Sequence, residues 1–137
     1  MRDYTFDVIG CCQIVHQELG PFLNEYIYQD ALDITLRERN ITHLKEYHFN
    51  VLYHNQLLPH KHYVDFFCKD KIFVECKAIE HIGTDQRQQL WNYMRLSNTR
   101  IGILYNFAPV MDECERYYLD AETKKCICFE FHMGSDM

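Results

Sequence analysis

The sequence predicts an α/β fold, a mixed β-sheet flanked by helices in the order ααβββαβββ. Two helical apolar patterns open the chain, and strand-like runs follow them around short polar turns. A helix then separates two apolar strands, a crossover that suits parallel pairing. The 137 residues are 47% hydrophobic, which is enough for one core, so we expect a single domain over residues 1–137.

Two helices are predicted in the first 40 positions. The first, of about four turns ending at Gly20-Pro21, is marked by apolar residues at helical spacing: Val8, Cys11, Cys12, Val15 and Leu19. The second runs from about Leu23 to Arg39, and one of its faces carries Glu25, Tyr28, Leu32 and Leu36. Periodicity alone favours a solvated Glu25 that the helix dipole stabilises, although a carboxylate on an apolar stripe also suits a functional site.

Three strands are predicted next. The first spans about residues 43–53 and turns at 54–56 into a second from about Leu58 to Cys68. The third strand, Ile72–Ala78, follows the polar loop 69–71.

The remaining elements complete the sheet. A helix from about Thr84 to Leu96 leads to a buried strand, Arg100–Asn106. Alternating residues at 113–120 and 125–131 predict a closing hairpin around positions 121–124.

The hairpin of the second and third strands carries the most informative residues. Glu75 and Lys77 lie two apart and therefore share a strand face with Phe73. The opposite face is wholly apolar, with Ile72, Val74, Cys76 and Ala78. The odd-length loop 69–71 allows Asp65 to face Glu75 directly. Charges on a core-like strand are costly unless they pair, bind metal or do chemistry, so a divalent-metal site beside a lysine and a surface salt-bridge cluster are both open.

An aspartate followed by Glu-x-Lys on the next strand resembles the PD-(D/E)xK nuclease superfamily, here with Asp65, Glu75 and Lys77. The N-terminal region resembles the small GxxExxY family, which is built on a core of that type. Glu25 and Tyr28 match its ExxY motif.

Further segments carry the same resemblance. Residues 29–32, Gln-Asp-Ala-Leu, stand where the family usually has two acidic residues followed by Ala-Leu. Gln89 and Tyr93 match the QxxxY helix motif of RecB-like nucleases, and Ile101–Phe107 matches the next strand. The resemblance covers roughly residues 6–120, in the expected order.

The resemblance implies a metal-dependent nuclease that hydrolyses phosphodiester bonds, with DNA as the favoured substrate. The ligands of Mg²⁺, with Mn²⁺ as a substitute, would be Asp65, Glu75, the backbone carbonyl of Cys76 and Glu25. Lys77 would orient the attacking water or stabilise negative charge, and Gln89 would orient the lysine or a water. Tyr28 and Tyr93 would support the site.

The sequence departs from the family pattern at two positions. Phe22 stands at the first glycine of the motif, directly after Gly20-Pro21, so the second helix is expected to begin with a different bend. Val64 replaces the proline that usually precedes the metal-site aspartate. Neither change removes a chemical group from the site.

The charge of the chain supports a rival function. A net charge of −6 and a pI near 5.7 argue against strong general binding to nucleic acid. A local basic strip is expected from Lys61, Lys69, Lys71, Arg87 and Arg95. The alternatives are a non-catalytic module that binds nucleic acid or protein, and a subunit that acts with a protein partner or as a homodimer.

The cysteines and the N-terminus suggest where the protein works. Seven cysteines, an odd number, favour reduced thiols in an intracellular setting, either cytoplasmic or nuclear. The first ten residues hold no long apolar run, so we expect no secretory signal. No stretch of the chain approaches the ~20 apolar residues that span a bilayer, so we expect no membrane span. Cys114, Cys126, Cys128 and His132 form a weak zinc candidate, because no CxxC spacing is present.

Overall fold

The computed structural model describes residues 4–129, in which helices pack on both faces of a six-stranded mixed sheet. The elements are α1 (Phe6–Leu19), α2 (Glu25–Glu38), β1 (His43–Phe49), β2 (Leu52–Tyr53), β3 (Gln56–Leu57), β4 (His62–Cys68), β5 (Ile72–Lys77), α3 (Thr84–Ser97), β6 (Ile101–Asn106), β7 (Glu113–Leu119) and β8 (Cys126–Cys128). The predicted α/β class is confirmed, and so is the order of the main elements.

The sheet has the strand order β1-β4-β5-β6-β7-β8. Only β5 and β6 are parallel, and their register aligns Ile72 with Ile101 and Lys77 with Asn106. The helix α3 makes this parallel pairing possible, because it carries the chain back to the start of β5 before β6 begins. The other neighbouring strands of the sheet are antiparallel.

Two apolar cores lie on the two faces of the sheet. On the face that α1 and α2 cover, Val74 and Cys76 of β5 are fully buried. On the face that α3 covers, Phe73 packs with Leu90 of the helix and Leu104 of β6. The alternation along β5 therefore follows the expected strand parity.

The apolar stripe of α2 fixes this helix against the sheet. Tyr28, Leu32 and Leu36 are fully buried at the predicted spacing. The helix ends before Asn40, which has a φ of +59° and so leaves the helical region. Helix α1 ends as predicted at Gly20, where φ is +83°, although Leu19 is exposed and not part of the core.

The prediction of two long strands between residues 43 and 68 is wrong in the middle. Strand β1 stops at Phe49 and β4 begins only at His62. Between them, β2 and β3 form a separate two-stranded sheet around His54 and Asn55, which both have positive φ. Pro59 has no N–H to donate to a ladder, which explains why the second strand cannot extend back to Leu58.

The other predicted elements need smaller corrections. Strands β7 and β8 pair in the antiparallel hairpin expected around residues 121–124. Positions 130 and 131 of that predicted hairpin lie outside the described residues, and so does His132 of the zinc candidate. All seven cysteines are free thiols. Between residues 4 and 129, no helix is long and apolar enough to cross a membrane.

Phe22, which the resemblance noted above aligns with a glycine, lies in the loop between α1 and α2. Its φ is +67°, a conformation that glycine adopts without strain, and its side chain is 75% exposed. Its backbone N–H donates to the carbonyl of Ala108 at 3.0 Å, which ties the loop to the end of β6. The backbone at Phe22 therefore adopts a conformation that a glycine would favour.

We predict that Phe22→Gly raises the free energy of unfolding by about 0.5–1 kcal/mol, because relief of the left-handed strain exceeds the entropic cost of glycine. Val110→Gly is the matched control, since Val110 is also an exposed apolar loop residue but has no positive φ. Urea denaturation of both variants measures the difference. Destabilisation of Phe22→Gly to the same extent as Val110→Gly would contradict the strain.

Candidate active site

A local reversal in β1 prepares the site. Glu46 has a φ of +52°, so the residues on either side of it face opposite sides of the sheet. Lys45 lies on the α2 side, where its ammonium is 2.5 Å from Asp30. Tyr47 lies on the α3 side and stacks on Phe67, with ring centroids 4.5 Å apart.

The same reversal occurs in the partner strand β4, at Asp65. Phe66 belongs to the core under α1 and α2, whereas Val64 belongs to the core under α3. The pairing of β1 with β4 passes over Glu46 and Asp65, and the backbone pairing of β4 with β5 stops at Phe66 and Val74. Asp65 is therefore released from the regular alternation and can turn toward β5.

The carboxylates of Asp65 and Glu75 replace the missing backbone hydrogen bonds between β4 and β5. The N–H of Asp65 donates to Oε1 of Glu75 at 3.0 Å, and the N–H of Cys76 donates to Oδ2 of Asp65 at 2.8 Å. Each carboxylate thus binds a backbone group of the opposite strand. This reciprocal arrangement holds the two acidic side chains together between the strands.

The carbonyl of Cys76 also points into this region. The N–H and C=O of one strand residue point to the same side, and the N–H of Cys76 points toward β4. The next carbonyl, that of Lys77, points the other way and accepts from Phe107 on the side of β6. The oxygen predicted as a metal ligand is therefore directed toward Asp65.

Glu25 is the first residue of α2, and it approaches the pair from the side of the sheet that this helix covers. Gln29, one turn further along, donates to Oε2 of Glu25 at 3.2 Å and lies close enough to Asp65 to lower the pKa of that carboxyl. Glu25 lies close enough to both carboxylates to raise their pKa by repulsion. Sequence analysis missed Gln29 as a site residue, although its position four residues after Glu25 placed it on the same helix face.

Tyr28 anchors the start of α2. Its hydroxyl donates to the carbonyl of Gly20 at 2.6 Å and accepts from the N–H of Leu23 at 3.1 Å. Its ring stacks on Phe107 at 4.9 Å, directly beyond the end of β6. The position of Glu25 therefore depends on a buried tyrosine that links the preceding loop to the sheet.

Lys77 completes the cluster at the end of β5. Its Nζ lies 4.0 Å from Oε2 of Glu75, and its side chain keeps 21% of its surface exposed. Asn106, its buried neighbour in β6, holds the chain that follows Lys77 through two hydrogen bonds with the backbone of Ile79. The ammonium group of Lys77 therefore lies near Glu75 and is also accessible to solvent.

Gln89 and Tyr93 form a pair of their own on α3. The amide of Gln89 donates to the hydroxyl of Tyr93 at 3.2 Å, and Gln89 is exposed. The ring of Tyr93 contacts Phe49 and His62, with centroids 5.2 and 5.9 Å away. Since His62 begins β4, this pair lies at the same end of the sheet as the acidic cluster, but its hydrogen bond stays within the helix.

Burial dominates the electrostatics of the acidic pair. Desolvation raises the pKa of Glu75 to about 8, and repulsion by Asp65 adds to the shift. Desolvation also raises the pKa of Asp65 to about 6, against the lowering effect of the N–H of Cys76. Lys77 lowers the pKa of both carboxyls but does not compensate for their burial.

The residues fit a divalent cation only in part. Among residues 4–129, no group of three or more His, Cys, Asp or Glu side chains is placed to hold a metal ion. The pair of Asp65 and Glu75 nevertheless offers oxygen atoms beside the carbonyl of Cys76, which are the ligands that Mg²⁺ prefers while it keeps several waters. A cation would also relieve the repulsion that raises the pKa of both carboxyls.

The expected basic strip is not a free cationic surface. Lys69 lies 2.6 Å from a carboxylate oxygen of Asp7, and Arg87 forms a bidentate pair with Glu115 at 2.8 Å. The ammonium of Lys71 lies 4.1 Å from the ring centroid of Tyr4. These three cations are engaged by neighbours within the protein, so this part of the expected strip offers little free positive charge.

We predict that Glu75→Gln is more stable than the wild type at pH 8.5 in EDTA, by on the order of 2–4 kcal/mol. Unfolded glutamate ionises near its ordinary value of 4.5, whereas folded Glu75 ionises near 8. The folded state thus holds a proton that the unfolded state has released, and wild-type stability falls as pH rises through this window. The amide oxygen of glutamine still accepts from Asp65.

Urea denaturation at pH 4.5 and pH 8.5 measures this effect, with the exposed Glu38→Gln as the control. The advantage of Glu75→Gln should be small at the lower pH and large at the higher one. An advantage that does not depend on pH would contradict the proposed desolvation of Glu75.

Comparison with known proteins identifies the family. The family model of the PD-(D/E)XK nuclease superfamily matches residues 2–117, which include α1, α2 and the hairpin with the acidic pair. No curated protein and no solved structure matches the chain. Because the match covers most of the 137 residues, the chain belongs to the PD-(D/E)XK nuclease superfamily.

Proposed function

We propose that this chain, as one domain over residues 1–137, hydrolyses phosphodiester bonds of nucleic acid with the help of a divalent metal ion, with DNA as its favoured substrate. One observation carries the proposal: the carboxylates of Asp65 and Glu75 are hydrogen-bonded between two strands, with the ammonium of Lys77 4.0 Å from Glu75. A salt bridge that served stability alone would not need a buried and a half-buried carboxylate, both with raised pKa values.

The proposed ligands of Mg²⁺, or of Mn²⁺ in its place, are Asp65, Glu75 and the carbonyl of Cys76, with Glu25 acting directly or through water. Nucleases of this superfamily generally use divalent metals, and such an ion lowers the pKa of bound water and offsets charge on the phosphate. Gln29 holds Glu25 through one hydrogen bond and lowers the pKa of the neighbouring Asp65.

Lys77 acts on the phosphate in this proposal. A protonated lysine has three donors and no lone pair, so it is not a ligand but can stabilise negative charge that develops in the transition state. Its partial exposure leaves the ammonium accessible to a substrate. Gln89 would help to orient the lysine or a water, and Tyr93 would position Gln89 through their hydrogen bond.

We also propose that the chain belongs to the GxxExxY group within the superfamily. The positive φ of Phe22 supports this, because the backbone keeps a glycine-like conformation where that group has glycine. Tyr28 supports it as well, since it links the loop to the helix that carries Glu25.

A non-catalytic binding module is the second candidate, and the charge distribution favours it. The net charge of −6 disfavours tight binding to a polyanion, and Lys69 and Arg87 are paired with Asp7 and Glu115. Such a module gains nothing from a buried and a half-buried carboxylate beside a lysine. A cleavage assay therefore distinguishes the two functions.

We predict that Lys77→Ala lowers the cleavage rate by about 10²–10³-fold, because one preorganised charge is lost from the transition state. Asp65→Ala should lose cleavage and metal binding together. Lys71→Ala is the matched control, since this lysine lies on the same hairpin but at its opposite end.

The assay uses labelled single- and double-stranded DNA and RNA with Mg²⁺, Mn²⁺ or EDTA. Cleavage by Lys77→Ala at the rate of Lys71→Ala would reduce Lys77 to a salt-bridge partner. Absence of cleavage by the wild type with either metal would leave the binding module as the better function.

We predict that Mg²⁺ or Mn²⁺ raises the melting temperature of the wild type, because a ligand bound only by the native state stabilises it by mass action. Binding at pH 7 should also release protons, since Glu75 must ionise to become a ligand. Calorimetry in buffers of different ionisation enthalpy measures the protons released.

Asp65→Asn and Glu75→Gln should lose most of the metal-induced shift in melting temperature. Asp70→Asn, in the exposed turn of the same hairpin, should keep it. Equal shifts in all three variants and the wild type would place the metal elsewhere in the protein.

A further inference from the structure

Residues 50–61, which we call the arm, project from the main sheet between β1 and β4. The short strands β2 and β3 pair only with each other, in a sheet separate from the six main strands. The base of the arm is fixed, because Val51 is buried in the core under α3 and its carbonyl accepts from the N–H of Leu58 at 2.9 Å. Beyond Val51, residues 52–61 are exposed without interruption.

The exposed surface of the arm is apolar and aromatic. Leu52, Tyr53 and Leu57 are 61%, 64% and 64% exposed, and the ring of Tyr53 stacks on His54 at 4.1 Å. An isolated two-stranded hairpin is marginally stable in water. These side chains are therefore exposed on a protruding hairpin and not buried on a strand of the core.

The charge of this region differs from that of the rest of the chain. No aspartate or glutamate occurs between Glu46 and Asp65, although the chain has 20 acidic residues. The same interval holds a lysine and histidines, namely Lys61, His48, His54, His60 and His62. Within this stretch of the chain a polyanion meets no carboxylate, although Asp70 lines the same pocket as Asn50 and Leu52.

The arm lies at the end of the sheet that holds the acidic pair. Strand β4 starts directly after the arm and runs antiparallel to β5, so the start of β4 and Lys77 at the end of β5 are at the same end. Asp65 is only four residues beyond Lys61. The base of the arm and the cluster of Asp65, Glu75 and Lys77 are therefore at the same end of the sheet.

We infer that the arm binds unpaired bases of the substrate, with Tyr53 stacking on a base, Leu57 packing beside it and Lys61 contacting a phosphate. Aromatic side chains stack on bases of any sequence, and apolar side chains such as leucine insert between base steps. The inference rests on the proposed function and adds to it a substrate class: nucleic acid with a single-stranded segment next to the bond that is cut.

The test measures binding separately from cleavage. Fluorescence anisotropy in EDTA reports the affinity for a labelled 20-nucleotide single strand, chosen at about this length to exceed one binding site, and for the matching duplex. Tyr53→Ala and Leu57→Ala are compared with Tyr118→Ala, which removes an exposed tyrosine near the start of β6, at the opposite end of the sheet. Circular dichroism checks that each variant is folded.

We expect Tyr53→Ala to weaken binding to the single strand by roughly 5- to 100-fold, to affect the duplex less, and Tyr118→Ala to bind like the wild type. Lys61→Ala should reduce the slope of log K against log salt by about 0.7. Equal affinities of Tyr53→Ala, Leu57→Ala and Tyr118→Ala would overturn the inference. So would a change in self-association of the arm variants with binding unchanged, since the arm would then be a protein interface.

Cleavage assays on the same proteins separate the two proposals. If the wild type binds single strands through the arm but cleaves none, the proposed function fails and the inference about the arm stands. If the arm variants cleave with the wild-type KM and the wild-type preference for single strands, the arm has no part in substrate binding and the proposed function stands.

Discussion

The site depends on one interruption of the sheet, where the backbone ladder between β4 and β5 ends and two carboxylates take over. Asp65 and Glu75 accept the N–H groups that would otherwise lack partners, so the strands stay joined while their acidic side chains meet. The interruption coincides with a change in alternation at Glu46 in β1 and at Asp65 in β4, where the side chains on either side of each residue lie on opposite faces of the sheet. With a regular ladder at this point, the side chain of Asp65 would lie on one face of the sheet, and no space between β4 and β5 would be left for the two carboxylates.

Burial gives the arrangement its energetic character. Glu75 is an almost fully buried carboxyl whose pKa rises because water is excluded and Asp65 is adjacent. Lys77 offsets part of this cost but lies 4.0 Å away and stays in contact with solvent. The folded protein thus carries an acidic pair that is costly to ionise without a cation, as expected where function rather than stability determines the residues.

Sequence reasoning went furthest where simple geometry applies. The three-residue loop 69–71 fixes the register of the hairpin, and the alternation along β5 places Phe73 in one core and Val74 and Cys76 in the other. The stripe on α2 likewise identified Tyr28 as buried. These features follow from periods of two and 3.6 residues, which the sequence displays directly.

What could not be predicted depends on contacts between distant segments. Glu46 adopts a positive φ although glutamate has no preference for it, so no local signal marked the reversal. Gln29 lies on a predicted helix, yet its proximity to Asp65 depends on how α2 crosses the sheet. The sequence predicts that most of the arm belongs to two long strands, because its leucines follow the pattern of a buried strand although they are exposed. Pro59 is the residue that disfavours a strand at this point.

The acidic composition and a polyanionic substrate are compatible once charge is considered by location. Lys69 and Arg87 are paired internally, so they contribute little to the attraction of a ligand. The formal charge of −6 also counts Glu75 as ionised, whereas burial and repulsion by Asp65 raise its pKa and so favour its protonated form in the metal-free protein. The field that a phosphate meets near Lys77 and the acid-free residues 47–64 is therefore less negative than the total suggests. Net charge describes the average surface, and binding depends on the part of the surface that the substrate contacts.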